Sequence, residues 1–288
     1  MSVARPLAEP VAVLGEGPVW DARRKLLHWV DCDQKILFAL DPTTGGVART
    51  ELPHFPGSYA FRRDGGLVMA YRNQLVLMDK DGGDVRSVET PGVDFAVERF
   101  NDGACDRRGR FWVGTMDRKL KEPVGHLFRL DPDLTFTPIE GGLTASNGIA
   151  FSPDDRTMYH TDTGAARIYA YDFDLDSGAV SNRRVLAEFT HGRPDGCTID
   201  AEGHLWVAAI NAGEMVRLDP AGRRVGAIAL PVSRPTSAMF GGPDLKTLYI
   251  TTMRFGLSPE EQAAQPYAGC LFAAEVEVPG LPEPEFAG

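Results

Sequence analysis

The sequence has little cysteine. Cys32, Cys105, Cys197 and Cys270 are scattered along 288 residues, and no C-x-x-C pair occurs. That excludes a disulfide frame or a thiolate metal cluster as the organising device and points to a reduced, cytoplasmic setting. Long apolar runs are also missing. Nothing approaches the ~18 residues that span a bilayer, and residues 1–10 hold no apolar core of signal-peptide length. Positive charge is in deficit, with 30 Lys and Arg against 40 Asp and Glu and a net charge of −10. Such a surface repels phosphate backbones and anionic lipid, so nucleic acid and membrane are set aside as partners. Long helical periodicity is absent too. The best helix candidate is residues 258–265, S-P-E-E-Q-A-A-Q, with a cap serine, a proline at the first position and two early glutamates.

What is present is repetition. A turn rich in Asp, Gly, Pro or Arg, followed by a short apolar-aromatic strand, starts at Asp21, Arg62, Asp106, Ser152, Asp200 and Gly242. The starts are 41, 44, 46, 48 and 42 residues apart. An alternating strand ending in a polar residue follows each copy, closing at Asp41, Asp79, Asp131, Asp172, Asp219 and Glu275. Period-two strands joined by turn residues, about four per ~45-residue copy, are the signature of a β-propeller. A pair of β-sandwiches lacks this regular period. The expected fold is all-β: a six-bladed β-propeller of four-stranded antiparallel blades forming one domain, residues 1–288. Residues 3–14 are expected to supply the outer strand that closes the ring.

Alignment on the turn exposes a second regularity. Five residues before each turn stand Glu16, Gly57, Asn101, Asn147, Asp195 and Ser237. In a propeller these positions begin the inner strands, which gather at one mouth of the channel. Taken singly, Asn147-Gly148, Asn101-Asp102-Gly103 and Asp195-Gly196 read as ordinary turns. Taken together, two carboxylates and two amides at one register call for a cation to offset their repulsion and desolvation. Oxygen donors suit calcium foremost, or magnesium or manganese, with zinc and iron(II) as alternatives. Of the six histidines, only His160, in Y-H-T-D, stands out as a site candidate.

The motifs L-G-E-G-P from Leu14, R-F-N-D-G from Arg99 and R-F-W-V-G-T-M ending at Met116 occur in this order. They are followed by S-N-G-I-A-F-S from Ser146, P-D-G-C-T-I-D from Pro194 and F-G-G-P-D from Phe240. Together they resemble the senescence-marker-protein, gluconolactonase and luciferin-regenerating-enzyme family of regucalcin-like sugar lactonases. The resemblance implies one catalytic divalent metal held by Glu16, Asn147 and Asp195, with Arg99 and Asn101 contacting substrate. It implies hydrolysis of a sugar lactone to the aldonic acid in sugar catabolism, and Asp195 is the choice for general base. Competing readings are another metal-dependent esterase or phosphotriesterase on this scaffold, and a calcium-binding protein without turnover. The stretch after Met116, D-R-K-L-K-E-P, departs from the acidic loop often found in the family. It reads either as a solvated loop or as a basic lid.

Overall fold

In the copies that start at Asp106 and Asp200 the repeated turn is built around a buried aspartate. In the computed structural model, which describes residues 4–7, 12–80 and 82–288, Asp106 Oδ1 accepts the backbone N–H of Arg108 and Arg110 at 3.0 and 3.1 Å. Its Oδ2 takes Arg110 Nε at 2.7 Å and the indole N–H of Trp112 at 2.9 Å. Asp200 does the same, with Oδ1 on Glu202 and His204 and Oδ2 on Trp206 Nε1 and Arg217. One carboxylate thus folds the turn and fixes the tryptophan six residues on, which carries the packing of the next strand. A charge-assisted, fully occupied acid is the kind of polar group a core tolerates.

Among the described residues these hairpins assemble into six four-stranded antiparallel sheets, the blades of a six-bladed β-propeller. Five blades run in chain order, beginning at Gly15–Asp21, Pro56–Phe61, Glu98–Cys105, Ser146–Phe151 and Arg193–Ile199. The sixth takes Pro235–Gly241, Thr247–Thr252 and Phe272–Glu275, and the strand Arg5–Pro6 completes it by pairing Arg5 with Ala273 and Pro6 with Phe272. Closure by the N-terminal strand is therefore as expected, although Val3 and residues 8–11 of that stretch lie outside the described residues. The helix is Pro259–Ala264, capped by Ser258 through a reciprocal capping box with Glu261. No disulfide joins the four cysteines. Among the described residues no helix is long and apolar enough to cross a membrane.

By internal packing the chain divides into two discontinuous compact units. Residues 1–55 and 189–282 contain blades 1, 5 and 6. Here Trp206, Phe240 and Phe272 anchor one core, while Trp20, Trp29, Phe38 and Tyr249 anchor a second. Residues 56–188 and 283–288 contain blades 2, 3 and 4. In this unit Phe100, Phe111, Phe128 and Phe136 form one core, joined by Phe286 near the end of the chain, and Trp112, Phe151 and Phe173 form another. Each fully buried large side chain contributes about 1.5–3 kcal/mol. The tail is held by backbone as well: Phe286 N–H bonds Phe61 O at 2.8 Å and Ala287 N–H bonds Gly109 O at 2.9 Å.

Candidate functional site

Every inner strand breaks its pairing register at the same place. The irregularity falls at Glu16/Val19, Pro56/Ser58, Phe100/Gly103, Asn147/Ile149, Pro194/Cys197 and Pro235/Ser237. The six positions found by counting back from the turn sit at these bulges. A bulge inserts an extra residue and re-aims a side chain out of the sheet plane. Asn147-Gly148 and Asp195-Gly196 are therefore not hairpin turns; both lie inside strands, Ser146–Phe151 and Arg193–Ile199. Gly148 has φ 35° and Gly17 φ 52°, left-handed values that a side chain resists.

In the unit of blades 2 to 4, three of the predicted site residues come together. Arg99 Nη1 donates to Asn101 Oδ1 and to Phe100 O, both at 2.9 Å. Asn101 Nδ2 donates to Asn147 Oδ1 at 2.8 Å and to Ser146 O at 2.9 Å. Asn147, 9% exposed, donates its own Nδ2 to Thr163 Oγ1 at 2.7 Å. The next residue along, Asp102, ties the two bulges by accepting Gly103 N–H at 2.8 Å and Gly148 N–H at 2.9 Å. Its carboxyl is pushed up to about 6 by burial, against the pull of those two N–H groups. Glu98 precedes Arg99 in the strand Glu98–Cys105. Its carboxylate is buried and accepts Asp94 N–H, the Thr115 hydroxyl and His126 Nδ1.

In the unit of blades 5, 6 and 1, Glu16 is half-buried in Gly15–Asp21 and Asp195 is 4% exposed in Arg193–Ile199. The glycine next to each is approached from blade 6. The Thr236 hydroxyl donates to Gly15 O at 2.6 Å, just before Glu16. Ser237 presses on Gly196, where an added Cβ would meet Ser237 Oγ at 2.3 Å. Glu16 and Asp195 each make further polar contacts.

Two candidates take other roles. His160 is fully buried behind the Asn147 strand, its Nε2 2.7 Å from Ser146 Oγ. Burial lowers its pKa to about 3, so it is a neutral interior residue. The basic stretch after Met116 is a folded turn. Asp117 accepts the N–H groups of Lys119, Lys121 and Glu122, which hold its carboxyl below the usual range. Arg118 donates to Phe95 O at 2.9 Å and Asn73 Oδ1 at 3.3 Å. Thr163 and Asp102 do not stand out in the sequence. Asp102 is hidden in an N-D-G triplet that reads as a turn, and Thr163 lies 16 residues past Asn147 on another strand's end.

The donor chemistry bears on a metal. Among the described residues no three or more His, Cys, Asp and Glu side chains come together as a metal cluster. A cation site among the described residues would draw on other oxygens, such as amide, hydroxyl, backbone or water oxygens, beside such side chains. Asn147 Oδ1 answers to that: its nitrogen is committed to Thr163, and Asn101 occupies one of its two lone pairs.

The chain as a whole is similar to known proteins. Over 282 residues, 96% of each chain, the sequence is 41% identical to the 6-deoxy-6-sulfogluconolactonase of Pseudomonas putida. Over 279 residues it is 37% identical to the pentonolactonase of Haloferax volcanii, covering 94% of this chain and 93% of that one. The crystal structure of a calcium-binding protein, regucalcin, from Agrobacterium tumefaciens superposes with a TM-score of 0.94 at 29% identity, covering 100% of this chain and 98% of that one. Residues 14–254 match the SMP-30/Gluconolactonase/LRE-like region, and the chain belongs to that family.

Proposed function

We propose that this protein is a metal-dependent sugar lactonase, opening an aldonolactone to the aldonic acid in sugar catabolism. The observation that carries the reading is the chain Arg99–Asn101–Asn147, a run of directed polar groups in strand bulges. Its family setting adds support, since two relatives named above are lactonases. Glu16, Asn147 and Asp195 are the residues that would hold one divalent ion, calcium foremost. When bound, such an ion polarises an ester carbonyl and acidifies water.

The remaining steps belong to the protein. Arg99 and Asn101 hold the oxygens of the lactone and fix its orientation; guanidinium and amide groups suit a polyhydroxylated ring. Asp195 takes a proton from the attacking water as its oxygen bonds to the carbonyl carbon. Breakage of the ring C–O bond then returns that proton to the departing ring oxygen. A buried carboxylate at a bulge is suited to this role, because water is excluded from its back and its position is fixed.

The test is a panel of glucono-, galactono-, xylono- and arabinono-lactones beside phenyl acetate and a phosphotriester. Turnover is followed with a pH indicator, after chelation and re-addition of single metals, and is corrected for spontaneous opening. Lactone turnover that chelation abolishes and one metal restores is expected. Turnover confined to the aryl ester or phosphotriester moves the reading to another hydrolase. No turnover above the control, with calcium still bound, leaves the calcium-binding reading in its place.

A further inference from the structure

We infer that Thr163 is a positioning residue for the cation, because with Arg99 it sets which end of the Asn147 carboxamide is presented. The inference rests on the metal reading above. Its basis is the direction of each hydrogen bond. A guanidinium only donates, so Asn101 must turn its oxygen to Arg99. The Asn101 nitrogen then has to face the other way, and both its hydrogens are spent, on Ser146 O and on Asn147 Oδ1. Asn147 is thereby obliged to offer its oxygen on the Asn101 side and its nitrogen to Thr163 Oγ1. Reversing any one amide would set donor against donor. The chain Arg99 to Asn101 to Asn147 to Thr163 therefore runs one way only, from a group that cannot accept to a hydroxyl that can.

Thr163 is well placed to end it. It follows the strand Thr157–Asp162 directly, and its N–H bonds Ala145 O at 3.0 Å while its carbonyl accepts Ala166 N–H at 3.2 Å. Asp162 clamps the same turn from the side, accepting the N–H groups of Ala145, Gly164 and Ala165. The hydroxyl thus sits on a fixed backbone. Without it the Asn147 nitrogen loses its acceptor, and the bond from Asn101 alone is left to hold the oxygen end of the amide in place. Groups that orient a metal ligand in this way typically account for about 10–100-fold in affinity.

The experiment is calorimetric titration of calcium into the intact, chelator-stripped chain without lactone, with thermal melting alongside. Thr163→Val keeps the shape and loses the acceptor; Thr163→Ser keeps the acceptor. Expected are a calcium Kd about 10–100-fold weaker for the valine variant and one within about threefold of wild type for serine. Arg99→Met, at the far end of the chain, is expected to weaken calcium as well, and it carries the test if the valine variant does not fold. Unchanged calcium affinity in Thr163→Val or in Arg99→Met, with wild-type melting, overturns the inference alone. A wild-type chain that binds none of calcium, zinc, manganese or magnesium overturns the metal reading and the inference with it.

Discussion

Blades 2 and 3 break their inner strands at the same register, yet one carries Gly57 there and the other Asn101. The backbone device is common to both; the room beside it is not. A Cβ on Gly57 would lie 2.8 Å from Asn101 O and 2.9 Å from Phe100 O, so blade 2 has its side-chain space filled by the main chain of blade 3. The other unit repeats the division of labour. Blade 6 bears Ser237 at the register and uses it to cover Gly196, while Thr236 holds the carbonyl of Gly15. Four bulges therefore present polar side chains and two support their neighbours. The bulge belongs to the repeat; beside the blade 3 and blade 5 bulges a neighbouring blade gives up its own side chain, whereas the blade 4 bulge is braced through Asp102 and His160.

The sharpest way to break that division is to alter a presenting position. Asp195→Asn keeps an oxygen donor of similar shape, so the cation is retained with some loss of affinity, while proton abstraction is lost. The expected fall in kcat is about 10²–10⁴-fold, measured against the uncatalysed lactone rate with metal titration in parallel. A variant that binds metal and turns over at the wild-type rate removes Asp195 from the role of base.

A supporting position is expected to matter less, and differently. Gly57→Ala adds one methyl group against the backbone carbonyls of Phe100 and Asn101. Neither atom is the end of a flexible side chain, so the start of the blade 3 strand must shift. A displacement approaching 1 Å in a positioning element costs up to about 10²-fold. The loss should fall on kcat/KM for lactone, with metal affinity reduced less, because the atoms the methyl group meets belong to the strand that carries Arg99 and Asn101. Wild-type kinetics in a folded Gly57→Ala would mean the strand yields elsewhere and blade 2 supports nothing.

Much of this is legible in the sequence, for identifiable reasons. The blade count follows from six turn-and-strand copies at similar spacing; in two of them the buried turn aspartate, Asp106 or Asp200, serves a tryptophan six residues on and strengthens the pattern. The site register follows from the same alignment, because the bulge lies a constant distance before the turn. What stays hidden is long-range polarity. Thr163 reaches Asn147 from the end of a neighbouring strand, and nothing in T-D-T-G marks it. Asp102 reads as part of a turn, whereas it joins two bulges. His160 stands out as a titratable residue in a polar stretch; full burial makes it an interior neutral ring.

That burial has a measurable consequence on the supporting side of the comparison. His160 braces the blade 4 bulge through Ser146 Oγ. Its folded pKa, about 3, lies below the unfolded value of 6.5. Above pH 6.5 neither state is protonated and the contribution to stability is complete. As pH falls from 6.5 toward 3, the unfolded chain takes up a proton that the fold refuses, and stability declines. Between pH 7 and 5 this one group accounts for about 2 kcal/mol. His160→Gln should flatten the pH dependence of urea unfolding by that amount. His28, lowered to about 4 by burial, adds a similar slope to both proteins and cancels. Parallel curves for variant and wild type would show that His160 is protonated without cost.

The smallest expected effect tests the division at blade 6. Ser237 stands at the same register as Asp195 and is 7% exposed. If blade 6 only supports, the Ser237 hydroxyl is filling, not chemistry. What braces Gly196 is then the bulk of Ser237, whose Oγ and Cβ would lie 2.3 and 2.5 Å from an added Cβ there. Ser237→Ala removes the oxygen and leaves the Cβ in contact. The bracing Cβ stays in place, so kcat/KM and calcium affinity should stay within about threefold of wild type, a change of less than about 1 kcal/mol. The same measurements on Gly196→Ala, which drives a methyl group into Ser237 instead, should show a clear loss of both. If Ser237→Ala alone lowers kcat/KM tenfold or more while its melting temperature holds, the hydroxyl acts on substrate. Five bulges would then present chemistry rather than four, and Gly57 would be the single position given over to support.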